Sequence, residues 1–277
     1  MEKPSIACLM VSRRPKLAIR AVKGFCAQEY PEKSLVVVSD GEDNQVLTTF
    51  VRRLRRTDIS VISRPQGALS LGALRNLAVD MADGEYVVQW DDDDLYHPQR
   101  LAVQIDAVLL GKTDACFLVD QLNYLERTRS LYWCDWSRPR GVGAWAPAAP
   151  NTLLCRKSNM PRYPEQGSLA HRSEDMYVME QLIRRRPTTL LRGMGWCYVY
   201  VHHGGNTWDE AHHLHIIGRC GLSAEDLISY RPVLNTALYR YRFRAPLIVR
   251  DYVGKPVVSL SKDGQLMPFE AADIPDG

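Results

Sequence analysis

The sequence predicts an α/β fold, with a mostly parallel sheet flanked by helices and a C-terminal helical appendage. Strand-like and helix-like segments alternate through the first half of the chain, which is typical of parallel sheets with right-handed crossovers. Residues 35–38 form a continuous apolar run, as expected for a strand covered on both faces. Acidic residues follow two predicted strands. They would therefore lie at the carboxyl edge of the sheet, where such folds bind ligands.

The predicted elements follow in a regular order. Apolar runs predict strands at 6–11, 35–38, 59–62 and 86–90, and apolar residues at helical spacing predict helices at 15–27, 45–56 and 71–81. Beyond residue 111 the pattern loosens, with strands predicted at 115–119 and 152–155, a helix at 171–186 and a helix start at 223–226. The aromatic stretch 133–150 is compatible with a substrate-facing loop or with core filling. Residues 247–268 could cover an edge, extend a sheet or pair with another subunit.

The composition is that of an ordinary globular protein. The 277 residues are 45% hydrophobic and 24% charged, with a net charge of +3 that does not indicate nucleic-acid binding. The arginine runs 52–56 and 184–186 suit helix C-termini, with an anionic acceptor or a membrane surface as the alternative. Seven scattered cysteines without a CxxC pair are typical of reduced thiols. No signal-peptide pattern and no apolar run near the roughly 20 residues of a membrane span occur, so we expect a soluble, cytoplasmic protein.

Four consecutive aspartates, Asp91 to Asp94, are the most informative feature. Adjacent carboxylates repel one another, and oxygen-rich sites suit Mg²⁺ or Mn²⁺, which one or two carboxylates commonly hold together with substrate phosphates. A solvated acidic turn is the alternative. No GxGxxG follows the first strand and no GxxxxGK[ST] occurs, which argues against a dinucleotide site or a P-loop.

Six segments, taken in order, resemble the inverting family 2 glycosyltransferases of the GT-A fold. The resemblance runs from about residue 6 to residue 208, roughly three-quarters of the chain. The segments are Val11-Ser12-Arg13-Arg14-Pro15, Val36-Val37-Val38-Ser39-Asp40-Gly41, Leu74-Arg75-Asn76, Trp90-Asp91-Asp92-Asp93-Asp94, Ser173-Glu174-Asp175 and His203-Gly204-Gly205-Asn206-Thr207-Trp208. Ser39 stands where the family has the first acid of a nucleotide-contacting pair, which leaves Asp40 alone in that role.

The resemblance implies a nucleotide-diphosphate sugar donor, most readily a UDP-sugar, together with Mn²⁺ or Mg²⁺. The nucleotide-sugar-binding residues that it implies are Val11, Ser12, Asp40, Arg75, Asp91 and Asp92. The metal ligands that it implies are Asp91 and Asp93 of the DxD motif, together with His203. His202 is the alternative if the register differs by one residue.

The four aspartates are expected to have different roles. Asp93 is the expected direct metal ligand, while Asp91 binds the ion through water or holds the ribose. Asp92 is expected to point to the opposite face, because side chains alternate along a strand. Asp94 is expected to orient its neighbours or to cap a helix that starts near Pro98.

Asp175 is implied as the general base that removes the proton of the acceptor hydroxyl. Its alternative role is that of a first-turn helix acid, which Glu174 would fill equally well. Arg75 could pair with phosphate or base, or it could be a helix-surface arginine. Asp40 could accept from a uracil or thymine N–H, or it could only form a turn before Gly41. A zinc site is conceivable among the late histidines and Cys220, namely His202, His203, His212, His213 and His215.

The resemblance also implies a domain plan. Residues 1–210 are expected to form the glycosyltransferase domain, with a nucleotide-binding half (1–110) and an acceptor-binding half (111–210). Residues 211–277 are expected to form a helical extension and tail. The acceptor, a saccharide, a lipid-linked saccharide or another hydroxyl compound, stays open, and so does transfer to a nucleic-acid base. The competing functions are a nucleotidyltransferase and a catalytically inactive nucleotide-sugar binding module.

Overall fold

A computed structural model of the chain describes residues 3–41, 45–143, 145–243, 245–261 and 263–269. These residues form two compact units that are interleaved in sequence. The first takes up residues 3–94, 98–117 and 150–191, and the second takes up the rest of the described chain. Within the described ranges, no helix is both long enough and apolar enough to cross a membrane.

The elements alternate as expected along the first half of the chain. In chain order the strands are β1 (Ile6–Ser12), β2 (Lys33–Asp40), β3 (Ile59–Arg64), β4 (Tyr86–Gln89), β5 (Leu95–Tyr96), β6 (Ala115–Leu118), β7 (Asp120–Leu125), β8 (Ser130–Asp135), β9 (Leu154–Arg156), β10 (Thr188–Leu191), β11 (Tyr198–His202), β12 (Leu247–Arg250), β13 (Pro256–Leu260) and β14 (Leu266–Pro268). The helices are α1 (Pro15–Cys26), α2 (Gln45–Leu54), α3 (Leu71–Met81), α4 (Arg100–Gly111), α5 (Glu174–Arg185), α6 (Glu210–Cys220) and α7 (Ala224–Tyr241).

The first unit is built on a seven-stranded sheet of order β10-β6-β9-β4-β1-β2-β3. Its pairs β1–β2, β1–β4 and β2–β3 are parallel, whereas β9 runs antiparallel to β4 and β6. The apolar run 35–38 is fully buried in β2, because helices cover the sheet and α3 packs on both β1 and β2. The carboxyl ends of three neighbouring parallel strands therefore carry Ser12, Asp40 and the aspartate tetrad.

The second unit contains the other seven-stranded sheet, of order β14-β13-β12-β8-β7-β11-β5. Apolar residues of β7, β8, β11 and β12 pack with α7 into one core that includes Leu122, Trp133 and Leu234. Helix α7 begins at a capping box in which Ser223 and Asp226 exchange hydrogen bonds. Helix α7 begins where a helix start was predicted, α6 was not predicted as a separate helix, and β12–β14 extend the sheet, one of the three roles considered for residues 247–268.

Several predicted elements differ from the structure. The helix predicted to end at residue 56 ends at Leu54, the one predicted to begin at 171 begins at Glu174, and the strand predicted at 152–155 lies at Leu154–Arg156. Strands β7, β8, β10 and β11 were not predicted. Trp133 belongs to β8 and Trp136 follows it, both in the core, so these two residues of the aromatic stretch fill the interior. The predicted functional halves, 1–110 and 111–210, stay predictions, and the compact units do not follow their limits.

Replacing Gly72 in α3 by alanine is expected to lower the free energy of unfolding by about 1–3 kcal/mol, the usual cost of overpacking. A Cβ atom at this position would lie 1.8 Å from the carbonyl oxygen of Pro164. That backbone cannot withdraw easily, because Asn76 exchanges two hydrogen bonds of 2.9 Å with the main chain of neighbouring Tyr163. Urea denaturation measures the change.

Gly218→Ala is the matched control for this substitution. Gly218 is also helical, and a Cβ there would meet nothing within 4 Å. The alanine should therefore stabilise α6 by about 0.5–1 kcal/mol through its better helix propensity. Equal unfolding midpoints for the two variants would contradict the close packing of α3 on the chain at Pro164.

Candidate active site

The aspartate tetrad forms a turn after β4, which ends at Gln89. The side chains of Asp91 and Asp93 are 21% and 13% exposed, whereas Asp92 is almost completely buried. Because the strand has ended, the alternation of side chains no longer applies here. The expectation that Asp92 points away from its neighbours was wrong, since Asp92 and Asp93 bind the same arginine. Asp94 is buried and does not cap α4, whose N-cap is Gln99.

Arg14 neutralises the middle of the tetrad. Its Nε donates to Asp92 Oδ2 at 3.2 Å, and its Nη2 donates both to Asp92 Oδ1 and to Asp93 Oδ2, the latter at 2.8 Å. The hydroxyl of Ser12 donates to Asp92 Oδ2 and accepts from the backbone N–H of Arg14. Burial and the charge of Asp93 raise the pKa of Asp92, while the bonds from Arg14 and Ser12 lower it. The end of β1 and the acidic turn are thereby fixed to each other.

Arg75 joins the acidic turn to the start of α5. It lies on α3, whose N-cap residue Ser70 accepts a hydrogen bond from the backbone N–H of Ala73. Its Nη2 donates to Asp91 Oδ1 at 2.9 Å, and its Nε donates to Glu174 Oε1 at 2.8 Å. Burial disfavours the guanidinium charge, but the carboxylates of Asp91 and Glu174 outweigh this effect and hold the pKa of Arg75 well above its usual value.

Asp175 occupies the first turn of α5, beside Glu174. Its Oδ1 accepts from the backbone N–H of Met176 at 2.8 Å, and the residue keeps partial access to solvent. Burial raises the pKa of Asp175 to about 7, and the negative charge of Glu174 contributes to this shift. The positive charge of Arg75 acts in the opposite direction but does not cancel it. A carboxyl group with this pKa can take up a proton near neutral pH.

Three further predicted residues have defined surroundings. Val11 is half-buried in β1, and Asp40 Oδ1 accepts from the backbone N–H of Gly67 at 2.9 Å. His203 belongs to the second unit, where its N–H donates to Asn206 Oδ1 at 2.9 Å and its Nδ1 accepts from Gly205. Its role as a metal ligand stays a prediction. His202 is buried in the same unit, with its ring 4.7 Å from that of His213.

Carboxylates that reach solvent at a strand end are suitable ligands for Mg²⁺ or Mn²⁺. Asp91 and Asp93 have this chemistry, and each is also bound to an arginine. In the described part of the chain, no group of three or more His, Cys, Asp or Glu side chains could hold a metal ion by itself. Mg²⁺ is often held by one or two carboxylates plus substrate phosphates. The pair therefore fits an ion that arrives with a diphosphate.

Sequence reasoning did not assign a role to Arg14. Two basic residues, Arg13 and Arg14, follow β1 directly, and a carboxylate cluster ends the neighbouring strand β4. The available signal was that four adjacent carboxylates need positive charge nearby. It did not identify the partner, because pairing across 78 positions depends on strand order rather than on local pattern.

Comparisons with known proteins agree with this arrangement. The sequence model described as Glycosyl transferase family 2 matches residues 8–172, more than half of the chain. The matched segment includes most of β1, Arg75 and the acidic turn, and it ends just before Asp175. The chain is 35% identical over 91 residues to WcaA of Escherichia coli, named as a glycosyl transferase of colanic acid biosynthesis, covering 32% of each protein.

A second curated relative is also a glycosyltransferase. A glycosyltransferase of Methanocaldococcus jannaschii is 26% identical over 107 residues, 38% of this chain and 37% of the relative. The chain thus spans about a third of the length of the curated relatives it matches.

Among solved structures, residues 1–349 of TarS from Staphylococcus aureus match with a TM-score of 0.55 at 15% identity, over 87% of this chain and 76% of that one. Mannosyltransferase PcManGT of Pyrobaculum calidifontis, in complex with GDP-Man and Mn²⁺, matches with a TM-score of 0.54 at 15% identity, over 87% and 71%. These similarities confirm the predicted GT-A fold.

Proposed function

Because the chain belongs to glycosyl transferase family 2, we propose that it is a glycosyltransferase that moves a sugar from a nucleotide-diphosphate sugar to a hydroxyl acceptor with inversion at the anomeric carbon. One observation carries the proposal. Arg75 binds Asp91 of the acidic turn and Glu174, the neighbour of Asp175, at 2.9 and 2.8 Å. Arg75 therefore connects the acidic turn, whose carboxylates suit a metal ion and a diphosphate, to the first turn of α5, which carries Asp175.

The donor is proposed to lie at the carboxyl ends of β1, β2 and β4. Asp40 would accept from a base N–H, while Val11 and Ser12 would line the nucleotide. Asp92 is buried and bound to Ser12 and Arg14, so its contribution would be to hold the turn in place. Arg75 would keep Asp91 oriented toward the nucleotide sugar.

Mn²⁺ or Mg²⁺ would be held by Asp93 directly, with Asp91 acting through water or on the ribose. When bound, such an ion neutralises the diphosphate and makes it a better leaving group. Arg14 and Arg75 offset part of the negative charge that Asp91, Asp92 and Asp93 bring to this site.

Asp175 is proposed as the general base. The acceptor oxygen would form a bond to the anomeric carbon while the bond from that carbon to the diphosphate oxygen breaks, and the hydroxyl proton would pass to the Asp175 carboxylate. The nucleoside diphosphate leaves with the electron pair. A pKa of about 7 suits this task, because a base works best when its pKa lies near the working pH.

A UDP-sugar is the proposed donor, with a GDP-sugar as the second candidate. TarS has been solved with UDP and with UDP-GlcNAc, whereas the mannosyltransferase holds GDP-Man. Asp40 is a suitable acceptor for the ring N–H of either base. The acceptor is proposed to be a saccharide, a lipid-linked saccharide or another hydroxyl compound. A cytoplasmic setting is supported by seven free cysteines, of which six are buried.

Asp93→Ala is expected to weaken metal-dependent nucleotide binding strongly. Calorimetric titration of UDP, GDP and dTDP, each with and without Mn²⁺, should show one nucleotide whose affinity Mn²⁺ raises in the wild-type protein. Loss of a direct ligand should weaken that metal-dependent affinity about tenfold or more. Asp106→Ala is the control, because Asp106 is an exposed acid on α4. Unchanged Mn²⁺ dependence in Asp93→Ala, or binding of no nucleotide by wild type, would overturn the proposed donor site.

A further inference from the structure

Two tryptophans and an arginine form a stacked cluster in the second unit. The arginine–tryptophan cluster consists of Trp136, Trp145 and Arg219. The rings of Trp136 and Trp145 are stacked with centroids 5.2 Å apart, and the Arg219 guanidinium carbon lies 4.7 Å from the Trp145 centroid. Trp136 is 8% exposed and belongs to an apolar core that also includes Ile217. The cluster therefore has a rigid base.

Two residues that follow β8, Arg140 and Val142, contact Arg219 of this cluster. The backbone N–H of Arg140 donates to the carbonyl of Arg219 at 2.7 Å, and Arg140 also covers the ring of Tyr252 at 3.7 Å. Nη1 of Arg219 donates to the carbonyl of Val142 at 3.4 Å. Hydrogen bonds to Arg219 thus hold the main chain at Arg140 and Val142 against the last turn of α6.

Four N–H donors of the cluster are buried without an acceptor. They are Nε1 of Trp136, Nε1 of Trp145, and Nε and Nη2 of Arg219, and none has a hydrogen-bond partner in the part of the chain that the structure describes. Buried donors are satisfied in the large majority of cases. Four unsatisfied donors on three stacked side chains are therefore unusual and indicate a missing acceptor.

The chemistry of these donors identifies the kind of acceptor. Nε and Nη2 form the side-on pair of the guanidinium, which matches the two oxygens of a carboxylate or a phosphate. The indole groups can only donate, so all four atoms call for oxygen acceptors. A cation at the end of α6 also suits the helix dipole, but that effect does not require this pair of donors to be buried.

We propose that the arginine–tryptophan cluster binds an oxyanion of the sugar acceptor, a carboxylate or a phosphate. This inference rests on the proposed sugar transfer and adds to it the class of acceptor. Arg138 is paired with Asp135, but Arg140 lies beside Arg219, and its positive charge favours a negatively charged ligand over a neutral one.

The test uses the full-length protein, without donor, and three probes: inorganic phosphate, glucuronic acid and glucose. Tryptophan fluorescence and calorimetry should detect binding of at least one anion with affinity about tenfold or more above that of glucose, since bonds to charged groups are the stronger ones. Tighter binding of phosphate would indicate a phosphate group on the acceptor, and tighter binding of glucuronic acid would indicate a carboxylate. Equal affinity for glucose and both anions, or no response to either anion, would overturn the proposal.

Substitutions separate the contribution of the side-on pair of N–H donors from that of the positive charge. Arg219→Lys keeps the charge but loses the side-on pair, and we expect it to bind the preferred anion about tenfold more weakly. Trp145→Phe keeps the stack but loses one donor and should weaken binding by a smaller factor. Arg240→Lys changes an exposed arginine on α7 and should leave binding unaltered. Wild-type affinity in both Arg219→Lys and Trp145→Phe would show that the cluster is only structural.

Nucleotide binding distinguishes failure of this inference from failure of the proposed function. Arg219→Lys should bind UDP or GDP with Mn²⁺ as the wild-type protein does, and its thermal unfolding should be unchanged within a few degrees. Anion binding without nucleotide binding would retain the anion site and remove the sugar-transfer proposal. Nucleotide binding without anion binding would retain the sugar-transfer proposal and remove the anion site.

Discussion

Arg75→Leu is expected to lower the free energy of unfolding by about 3–5 kcal/mol, the cost of leaving buried charges without their partner. The Arg75 side chain is 11% exposed and lies between Asp91 and Glu174, whose side chain is only 5% exposed. Removing it leaves these carboxylates facing each other and the neighbouring Asp175. Urea denaturation followed by circular dichroism measures the loss.

The surface provides a matched control for Arg75→Leu. Arg162 also binds two carboxylates, those of Asp80 and Glu165, but its side chain is 55% exposed. Exposed ion pairs contribute about 0–1 kcal/mol, so Arg162→Leu should change stability little. Arg75→Lys should fall between the two, because an ammonium keeps the charge without the planar fork. Equal losses for Arg75→Leu and Arg162→Leu would show that Arg75 does not hold a buried charge cluster.

Much of the first unit could be predicted from local pattern. The apolar run of β2 is too short for a buried helix, the apolar residues of α3 recur at helical spacing, and Ser70 supplies the cap of α3. The acidic turn was located for the same reason, since a buried strand must end where four carboxylates begin. These features depend on neighbours in sequence, which a single chain displays.

The second unit could not be predicted in this way. Strand β7 carries Asp120, Gln121 and Asn123 at buried positions, so its pattern does not alternate between polar and apolar. Asp120 is accommodated because Trp133 Nε1 and the N–H of Gly195 donate to it at 2.8 and 3.2 Å. Burial still raises its pKa to about 6. Such contacts arise only after distant segments have come together.

The candidate site shows the same division. Asp91, Asp93 and Asp175 were identified by residue type and order, because their chemistry is carried by short segments. Their partners were not, since Arg14 lies 78 positions from Asp92 and Arg75 lies 99 from Glu174. Sequence pattern therefore predicted the acids and Arg75 as site residues, and the structure shows which carboxylates Arg14 and Arg75 bind.

Asp175→Asn is expected to reduce turnover by about 10²–10⁴-fold, the usual contribution of a general base, while nucleotide binding persists. Asparagine retains the acceptor for the N–H of Met176 but cannot take up a proton. Initial rates with a nucleotide sugar, together with calorimetric nucleotide binding, measure the two effects. Glu180→Gln, on an exposed part of the same helix, is the control and should keep normal rates. Near-normal turnover in Asp175→Asn would remove Asp175 from the mechanism.

The pH dependence of the wild-type protein tests the same group independently. The pKa of Asp175 is raised from 3.8 to about 7 in the folded protein, so turnover should rise with pH up to about 7 and then level off. Stability should change in the opposite direction. Between these two pKa values the folded state holds a proton that the unfolded state releases, so the contribution of this group to stability is full below pH 4 and is lost as pH rises through 7.

Asp175→Asn lacks this titration, which gives the variant a second expected property. At pH 8 it should be more stable than wild type by on the order of 1–2 kcal/mol, a value below the full shift because the residue keeps partial access to solvent. At pH 4 the two proteins should unfold at the same urea concentration. If the variant is inactive but no more stable than wild type at pH 8, the surroundings of Asp175 do not disfavour its ionised form. The pKa of Asp175 would then not be raised, and its activity as a base near neutral pH would need another cause.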